Sequence, residues 1–254
     1  MAQTIPLISV LLATNKIDEY LWVAVDSILA QTSTSFELLL IANGTDCNLV
    51  ALELKARYSG HDNVTVVCTP IPQLAYALNL GLSIARADII ARMDADDIAV
   101  PDRLATQYSY LNTHQLDLVG SDIEIIDANG SSHGFRSYPR GNRIEQLLPY
   151  KNCFCHPSVM VKKSVLFKAR GYNAGFNSED YDLWLRLVRQ GVRWDNIDRP
   201  LLRYRFYQSS AQGTRLAYAE CLGLAVREFF LHMTFTRFVA MMGHAAKFLY
   251  KKMR

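Results

Sequence analysis

Apolar and polar residues fall in blocks along this chain, and the block lengths predict its elements. Residues 8–13 (Ile8-Ser9-Val10-Leu11-Leu12-Ala13) form a near-continuous apolar run of strand length, the pattern of a parallel strand covered on both faces. Residues 17–31 instead space Leu21, Val25, Ile28 and Leu29 at helical intervals. A second buried strand spans 36–42 and is broken by Asn43-Gly44. Helix over 46–58, strand over 64–68, helix over 74–85 and strand over 89–93 follow. Alternation of this kind predicts an α/β layered, mostly parallel sheet with right-handed crossovers and flanking helices. Beyond Asp117 the pattern is less regular: 118–126 reads as a strand pair or extended segment, 129–132 as a turn and 144–150 as a short helix.

Open α/β sheets bind ligands beyond the carboxyl ends of their strands. Three polar clusters fall at those ends: Thr14-Asn15, Asn43-Gly44-Thr45-Asp46 and Asp94-Ala95-Asp96-Asp97. The last crowds three carboxylates into four residues. Carboxylates so close repel one another unless a cation sits among them. On an extended backbone Asp94 and Asp96 point to the same side, so together they can hold one divalent metal and a ligand. A solvated turn, with Asp97 or Asp102 capping the next helix, is the plainer reading. An EF-hand loop starting at Asp94 needs a Gly near Ala99 and a Glu near Ala105, and has neither. A P-loop or the Gly-rich phosphate loop of a nucleotidyltransferase is excluded, because Thr14-Asn15-Lys16 lacks glycines. A strand ending in Asp-x-Asp points to a metal–diphosphate site.

A second constellation, Ser178-Glu179-Asp180-Tyr181-Asp182-Leu183-Trp184-Leu185-Arg186-Leu187, opens a helix. Ser178 stands where a cap belongs, and an acidic first turn suits the helix dipole. Leu183, Trp184 and Leu187 form the buried face. A carboxylate at this helix start, facing the metal site, can instead act as a general base if it is ionised before it takes a hydroxyl proton.

With these motifs in this order, residues 5 to about 212 resemble a family 2 glycosyltransferase of the GT-A (Rossmann-like) fold, inverting and of the bacterial surface-polysaccharide type. The matching segments are Ile8-Ser9-Val10-Leu11-Leu12-Ala13-Thr14, Ser27-Ile28-Leu29-Ala30-Gln31-Thr32, Ala91-Arg92-Met93-Asp94-Ala95-Asp96-Asp97 through Pro101-Asp102-Arg103-Leu104, His156-Pro157-Ser158-Val159-Met160, and the Glu179 to Leu187 run. The resemblance implies an inverting sugar transfer from a nucleotide diphosphate sugar, UDP by default, to a hydroxyl of a glycan or lipid-linked acceptor. Carried over by position, Asp96 ligates Mn²⁺ or Mg²⁺, Asp94 contacts the ribose or donor sugar, Thr14 and Asn43 face the nucleotide, and Asp180 is the base. Glu179 orients Asp180 or the acceptor. His156 contacts acceptor or donor, or is a structural histidine. Arg92 and Arg103 hold the loop around the carboxylates, or are solvated.

The chain departs from the family pattern in two places and carries one foreign motif. Ala42-Asn43-Gly44 replaces a pair of acids, although Asn43 can still donate to and accept from a base edge. Tyr207 stands in Tyr204-Arg205-Phe206-Tyr207 where relatives often carry a His, which leaves Arg205 to serve the phosphates. Gln190-Gly191-Val192-Arg193-Trp194 spells the Gln-x-x-Arg-Trp of processive synthases, but it ends the same predicted helix that Asp180 opens, and reads as coincidence.

Composition narrows the setting. At 254 residues and 50% hydrophobic, the chain is globular, with a catalytic unit over 1–212 (nucleotide-binding half about 1–115, acceptor-binding half about 116–212) and an extension over 213–254. The five cysteines lack zinc-knuckle or Cys-x-x-Cys spacing and read as reduced thiols, and residues 8–13 read as a strand rather than a signal peptide. Net charge is only +3, yet residues 215–254 alone carry +5. That extension interleaves Phe229, Phe230, Phe235, Phe238, Met241 and Met242 with Arg227, Arg237, Lys247, Lys251 and Lys252. Its longest uncharged stretch is about ten residues, short of the ~20 a spanning helix needs. It therefore predicts amphipathic helix on an anionic membrane surface, or else helix packed on protein, and points away from nucleic acid. The expected enzyme is cytoplasmic and peripheral on the inner face of the plasma membrane, in O-antigen, capsule or exopolysaccharide synthesis. The contrasting reading is a catalytically silent nucleotide-sugar-binding subunit that anchors a partner enzyme there, which has no chemical need for Asp94, Asp96 and Asp180 together.

Overall fold

The first half of the chain folds as its pattern predicts: β1 (Ile8–Thr14), α1 (Glu19–Leu29), β2 (Phe36–Asn43), α2 (Cys47–Arg57), β3 (Val64–Thr69), α3 (Leu74–Ile84) and β4 (Ile89–Met93). Then come β5 (Ile98–Ala99), α4 (Arg103–Thr113), β6 (Leu118–Ile126), β7 (Ser132–Arg136), α5 (Asn142–Leu147), a 3-10 turn (His156–Ser158), β8 (Met160–Lys162), α6 (Lys163–Lys168), α7 (Glu179–Val188) and β9 (Trp194–Arg205). Two longer helices follow, α8 (Arg215–Leu231) and α9 (Phe235–Lys252). The computed structural model describes residues 5–32, 35–173, 175, 177–206 and 214–252, with side chains to Tyr250; Tyr207 lies outside them.

Among the described residues one nine-stranded sheet has the order β3-β2-β1-β4-β8-β6-β9-β5, with β7 on β6. The β3-β2-β1-β4 half is parallel, and β8 is antiparallel to both β4 and β6. Residues 118–126 are one strand, not a pair; β6 spans the gap between β8 and β9 and also carries β7. Ile8 pairs with both Phe36 and Ile89, so β1, β2 and β4 run in step and deliver Thr14, Asn43 and Asp94 to one edge. The lack of apolar alternation in β1 is explained by two cores. Val10 and Leu12 pack with α1 and α2 on one face, whereas Leu11 packs with α3 and α7 on the other.

Trp184 fills the second core, wholly buried, its ring 5.3 Å from that of Phe154. Trp184→Ala is expected to cost about 3–5 kcal/mol and lower the denaturant midpoint with the slope unchanged, because so large a cavity cannot collapse under a sheet.

The last two helices form a hairpin that packs on the α/β body. Glu220 Oε2 accepts the Asn177 N–H (3.0 Å) and the Ser178 hydroxyl (2.7 Å). Arg227 pairs with Asp182 on α7, and Glu228 with Arg189 just beyond its end. The other side stays apolar and open: Phe230, Leu231, Met233, Phe235, Phe238 and Met242 are exposed around the α8–α9 turn. Packing and an exposed apolar face, alternatives in the sequence, thus coexist on opposite sides of the hairpin. No helix among the described residues is long and apolar enough to cross a membrane. All five cysteines are free, and Cys47, Cys153 and Cys155 are buried.

Candidate active site

β4 is buried along its whole length and ends by releasing Asp94, Asp96 and Asp97, whose carboxylate oxygens lie within 4.8 Å of one another. Asp97 is the deepest. Its Oδ1 accepts the Arg205 N–H at 2.8 Å, and its Oδ2 is buried without a partner. Burial, then the charges of Asp94 and Asp96, push Asp97 well above the usual carboxylate range. Burial and the charge of Asp94 push Asp96 up to about 6. Three crowded oxygen donors, one of them orphaned, fit a hard divalent cation, which would relieve the repulsion that holds these pKa values up. Asp97, read in the sequence as a possible helix cap, belongs to the cluster. Asp102 takes the cap position but makes no side-chain capping bond.

Two buried arginines and a strap hold this turn. Arg92 lies beneath it, ion-paired with Asp94 and with no partner for its Nε. From the opposite face Arg103 donates through Nη2 to the Arg92 carbonyl (2.7 Å) and through Nε to Gln107 Oε1 (2.9 Å). Neither is solvated. Arg205 donates to the carbonyls of Asp96 (2.9 Å), Asp127 (2.6 Å) and Ala128 (2.8 Å), and its guanidinium stacks 4.4 Å from the Tyr20 ring. Arg205 thus braces the carboxylate turn through its backbone.

Thr14, Asn43, Asp94 and Asp96 line one open cleft of about 960 Å³, together with Asn15, Lys16 and Tyr20. Thr14 Oγ1 donates to the Lys16 carbonyl at 2.7 Å, Lys16 pairs with Asp18 at 2.7 Å, and Asp18 caps α1 by accepting the Leu21 N–H. Gly44, at φ +98°, lets the chain turn sharply after Asn43, and its N–H reaches the Thr69 carbonyl. These local bonds shape one wall of the cleft.

Asp180 is reached from the other half of the sheet. Its Oδ1 accepts the Tyr181 N–H (2.6 Å) and its Oδ2 accepts Nδ2 of Asn152 (2.6 Å). Burial raises its pKa, and these two hydrogen bonds and Arg92 pull the other way. Glu179 is pushed up to about 7, by burial and then by the charge of Asp180. Burial, then Arg92, lowers His156 far below its ordinary value, so the ring is neutral; its Nε2 is 3.1 Å from the Tyr172 hydroxyl and its Nδ1 4.0 Å from Glu179. Tyr172 is itself fixed by Asn79, which bonds both its N–H and its carbonyl. Gly171 before it has φ +68°, and a Cβ there would come within 2.3 Å of the Asn79 side-chain oxygen. His156 thus sits in a packed polar cluster behind Glu179. Ser178 occupies the cap position of α7, but its hydroxyl donates to Glu220 and makes no capping bond.

The structure gathers Thr14, Asn43, Asp94, Asp96 and Arg205 at one edge and places Glu179, Asp180 and His156 on α7 and beside it. Sequence reasoning missed Asn152, which sits in an irregular segment with no periodic or motif signal. The Gln190–Trp194 motif lies elsewhere: Trp194 pairs with Leu118, Leu118 with Val161 and Val161 with Ile90, at the start of β4 rather than its end.

The sequence profile of glycosyl transferase family 2 matches residues 9–170. Over 248 residues the chain is 45% identical to the O-antigen biosynthesis glycosyltransferase WbnJ of Escherichia coli, covering 96% of this chain and 97% of that protein. It is 28% identical over 219 residues to the Escherichia coli UDP-Gal:alpha-D-GlcNAc-diphosphoundecaprenol beta-1,3-galactosyltransferase, covering 84% of this chain and 78% of that one. The fold matches the crystal structure of S. aureus TarS residues 1–349 with a TM-score of 0.69 at 15% identity, over 96% of this chain and 71% of that one. Profile, near-full-length likeness and fold agree with what the acids at the strand ends require, and this protein belongs to glycosyl transferase family 2, as a glycosyltransferase with the GT-A fold.

Proposed function

We propose that the protein transfers a sugar from a UDP-sugar, with inversion and with Mn²⁺ or Mg²⁺, to a hydroxyl of a glycan or lipid-linked acceptor in O-antigen, capsule or exopolysaccharide synthesis. The observation that carries this is the gathering of Asp94, Asp96 and Asp97 within 4.8 Å at a cleft that Thr14 and Asn43 share. The activity for which the galactosyltransferase relative is named supports UDP and a diphosphate-linked lipid acceptor, and WbnJ supports O-antigen assembly. A divalent metal held by Asp96, with its two neighbours, supplies the positive charge that a leaving diphosphate needs. Asp94, fixed by Arg92, is placed to orient the ribose or donor sugar, while Thr14 and Asn43 face the nucleotide. Asp180 takes the proton from the acceptor hydroxyl as that oxygen attacks the anomeric carbon from the face opposite the departing diphosphate. Glu179, next to Asp180 at the start of α7 and pushed up by burial and by the charge of Asp180, orients Asp180 or the acceptor. The catalytic unit ends near residue 212, and the hairpin is its extension.

Calorimetric titration with UDP, dTDP and GDP, each with Mn²⁺ and with chelator, tests the donor site. Metal-dependent binding of UDP alone is expected. No metal-dependent binding of any of the three would end this reading.

The same reading puts the enzyme on the cytoplasmic face of an anionic membrane, with the hairpin as its anchor. The hairpin's exposed aromatic and Met residues at the turn suit insertion at the headgroup level. Phe235→Asp combined with Phe238→Asp is expected to abolish co-sedimentation with phosphatidylglycerol vesicles and to leave UDP binding unchanged. Retained sedimentation would defeat the membrane role. Deleting everything after Thr214 is a poorer test, since it also strips Glu220 and Arg227 from α7.

A further inference from the structure

Asn152 lies between α5 and the 3-10 turn, and both ends of its amide are engaged. Nδ2 donates to Asp180 Oδ2 at 2.6 Å, and Oδ1 accepts the Phe154 N–H at 3.2 Å, which sets the amide's orientation. Asp180 Oδ1 is taken by the Tyr181 N–H. The carboxylate is therefore clamped from two sides, with one lone pair left on each oxygen.

The clamp has its own support. Cys153 and Phe154 are buried, and Phe154 packs on Trp184 of α7. From α9, Lys247 Nζ donates to the Tyr150 carbonyl (3.2 Å), and His244 Nε2 lies 3.1 Å from that of Pro149. From α8, Glu220 holds Asn177 and Ser178, the residues that lead into Glu179 and Asp180. One hairpin thus grips the chain on both sides of the Asn152–Asp180 bond.

We propose that Asn152 is a positioning residue for sugar transfer, fixing the Asp180 carboxylate so that one Oδ2 lone pair is presented to the acceptor hydroxyl. The inference rests on the reading of Asp180 as the base. A hydrogen-bond donor on a carboxylate favours its charged form. Around Asp180, Arg92 of β4 acts in the same sense, while burial and the charge of Glu179 act against it. Tyr172 and Cys221 of α8 also face it, and both are pushed up by burial and by its charge, so both stay neutral. Removing the donor makes Asp180 hold its proton to higher pH, so the acid limb of the rate profile moves to higher pH.

The test is the pH profile of turnover for Asn152→Leu, beside Asp180→Asn and the unaltered enzyme, each with UDP affinity measured by calorimetry. The expected result is roughly tenfold slower transfer along the acid limb, as loss of a hydrogen bond to a charged group implies, with that limb displaced to higher pH and the difference closing above it, at unchanged UDP affinity. Asn152→Ser, too short to reach Asp180, carries the same expectation and serves if the leucine variant does not fold. A profile superimposed on that of the unaltered enzyme, or one lowered equally at every pH, overturns the proposal. If Asp180→Asn itself keeps full activity, the base assignment has failed instead; if it is inactive while the Asn152 variants keep the unaltered profile, only Asn152 is displaced.

Discussion

Asp180→Asn is expected to slow sugar transfer on the order of 10²–10⁴-fold while UDP binds as before, because the change removes the group proposed to take the acceptor proton. Asparagine keeps the shape but cannot accept a proton at its nitrogen. It also has a single acceptor oxygen for two donors, Tyr181 N–H and Asn152 Nδ2, so one of those bonds is lost. The cleft wall built from Thr14, Asn43 and the carboxylate turn, the proposed nucleotide side, does not include this pair. Turnover with a lipid-linked or glycan acceptor, measured beside UDP calorimetry, separates the two effects. Unchanged turnover would remove Asp180 from the mechanism and move the role to Glu179.

The second large effect is expected at the proposed metal turn. Asp96→Ala is expected to weaken Mn²⁺-dependent UDP binding by more than about 100-fold, beyond what supporting residues around a metal usually cost. Asp94 is already neutralised in part by Arg92, and Asp97 has one oxygen spent on the Arg205 N–H. Asp96 is the least committed carboxylate of the three, its backbone carbonyl rather than its side chain being held by Arg205. Removing it leaves two oxygen donors that are partly satisfied by protein. With chelator present, the unaltered protein and the variant should bind UDP equally weakly. Equal binding in Mn²⁺ as well would show that the ion does not sit on Asp96.

Much of the layout was legible from local pattern. β1 to β4 and their helices lie within a residue or two of the predicted bounds, because buried strands and amphipathic helices differ in apolar spacing over a few residues. The acids at the end of β4 and the start of α7 stood out because each group is contiguous in the chain. The region after Asp117 was blurred for the opposite reason. β6, β8 and β9 pair across a mixed sheet, and short antiparallel strands such as Met160–Lys162 carry no periodicity of their own. Arg92 and Arg103 could be read as surface residues because burying arginine depends on partners that sequence does not display. The extension likewise showed its composition but not which side of it would pack.

The sequence by itself determined the α/β alternation, the strand-end edge where the polar clusters gather, the three acids that follow β4, the acids that open α7 and the mixed apolar and basic character of the extension. All of these follow from side-chain chemistry and spacing within one or two turns of chain. Only the tertiary structure decided which groups meet: Arg205 over Asp97, 108 residues away, Asn152 against Asp180, 28 away, and Glu220 on Ser178, 42 away. Contacts at such separations depend on the closure of a whole sheet and on helices docked over it, and on burial that moves pKa values only after the chain has packed.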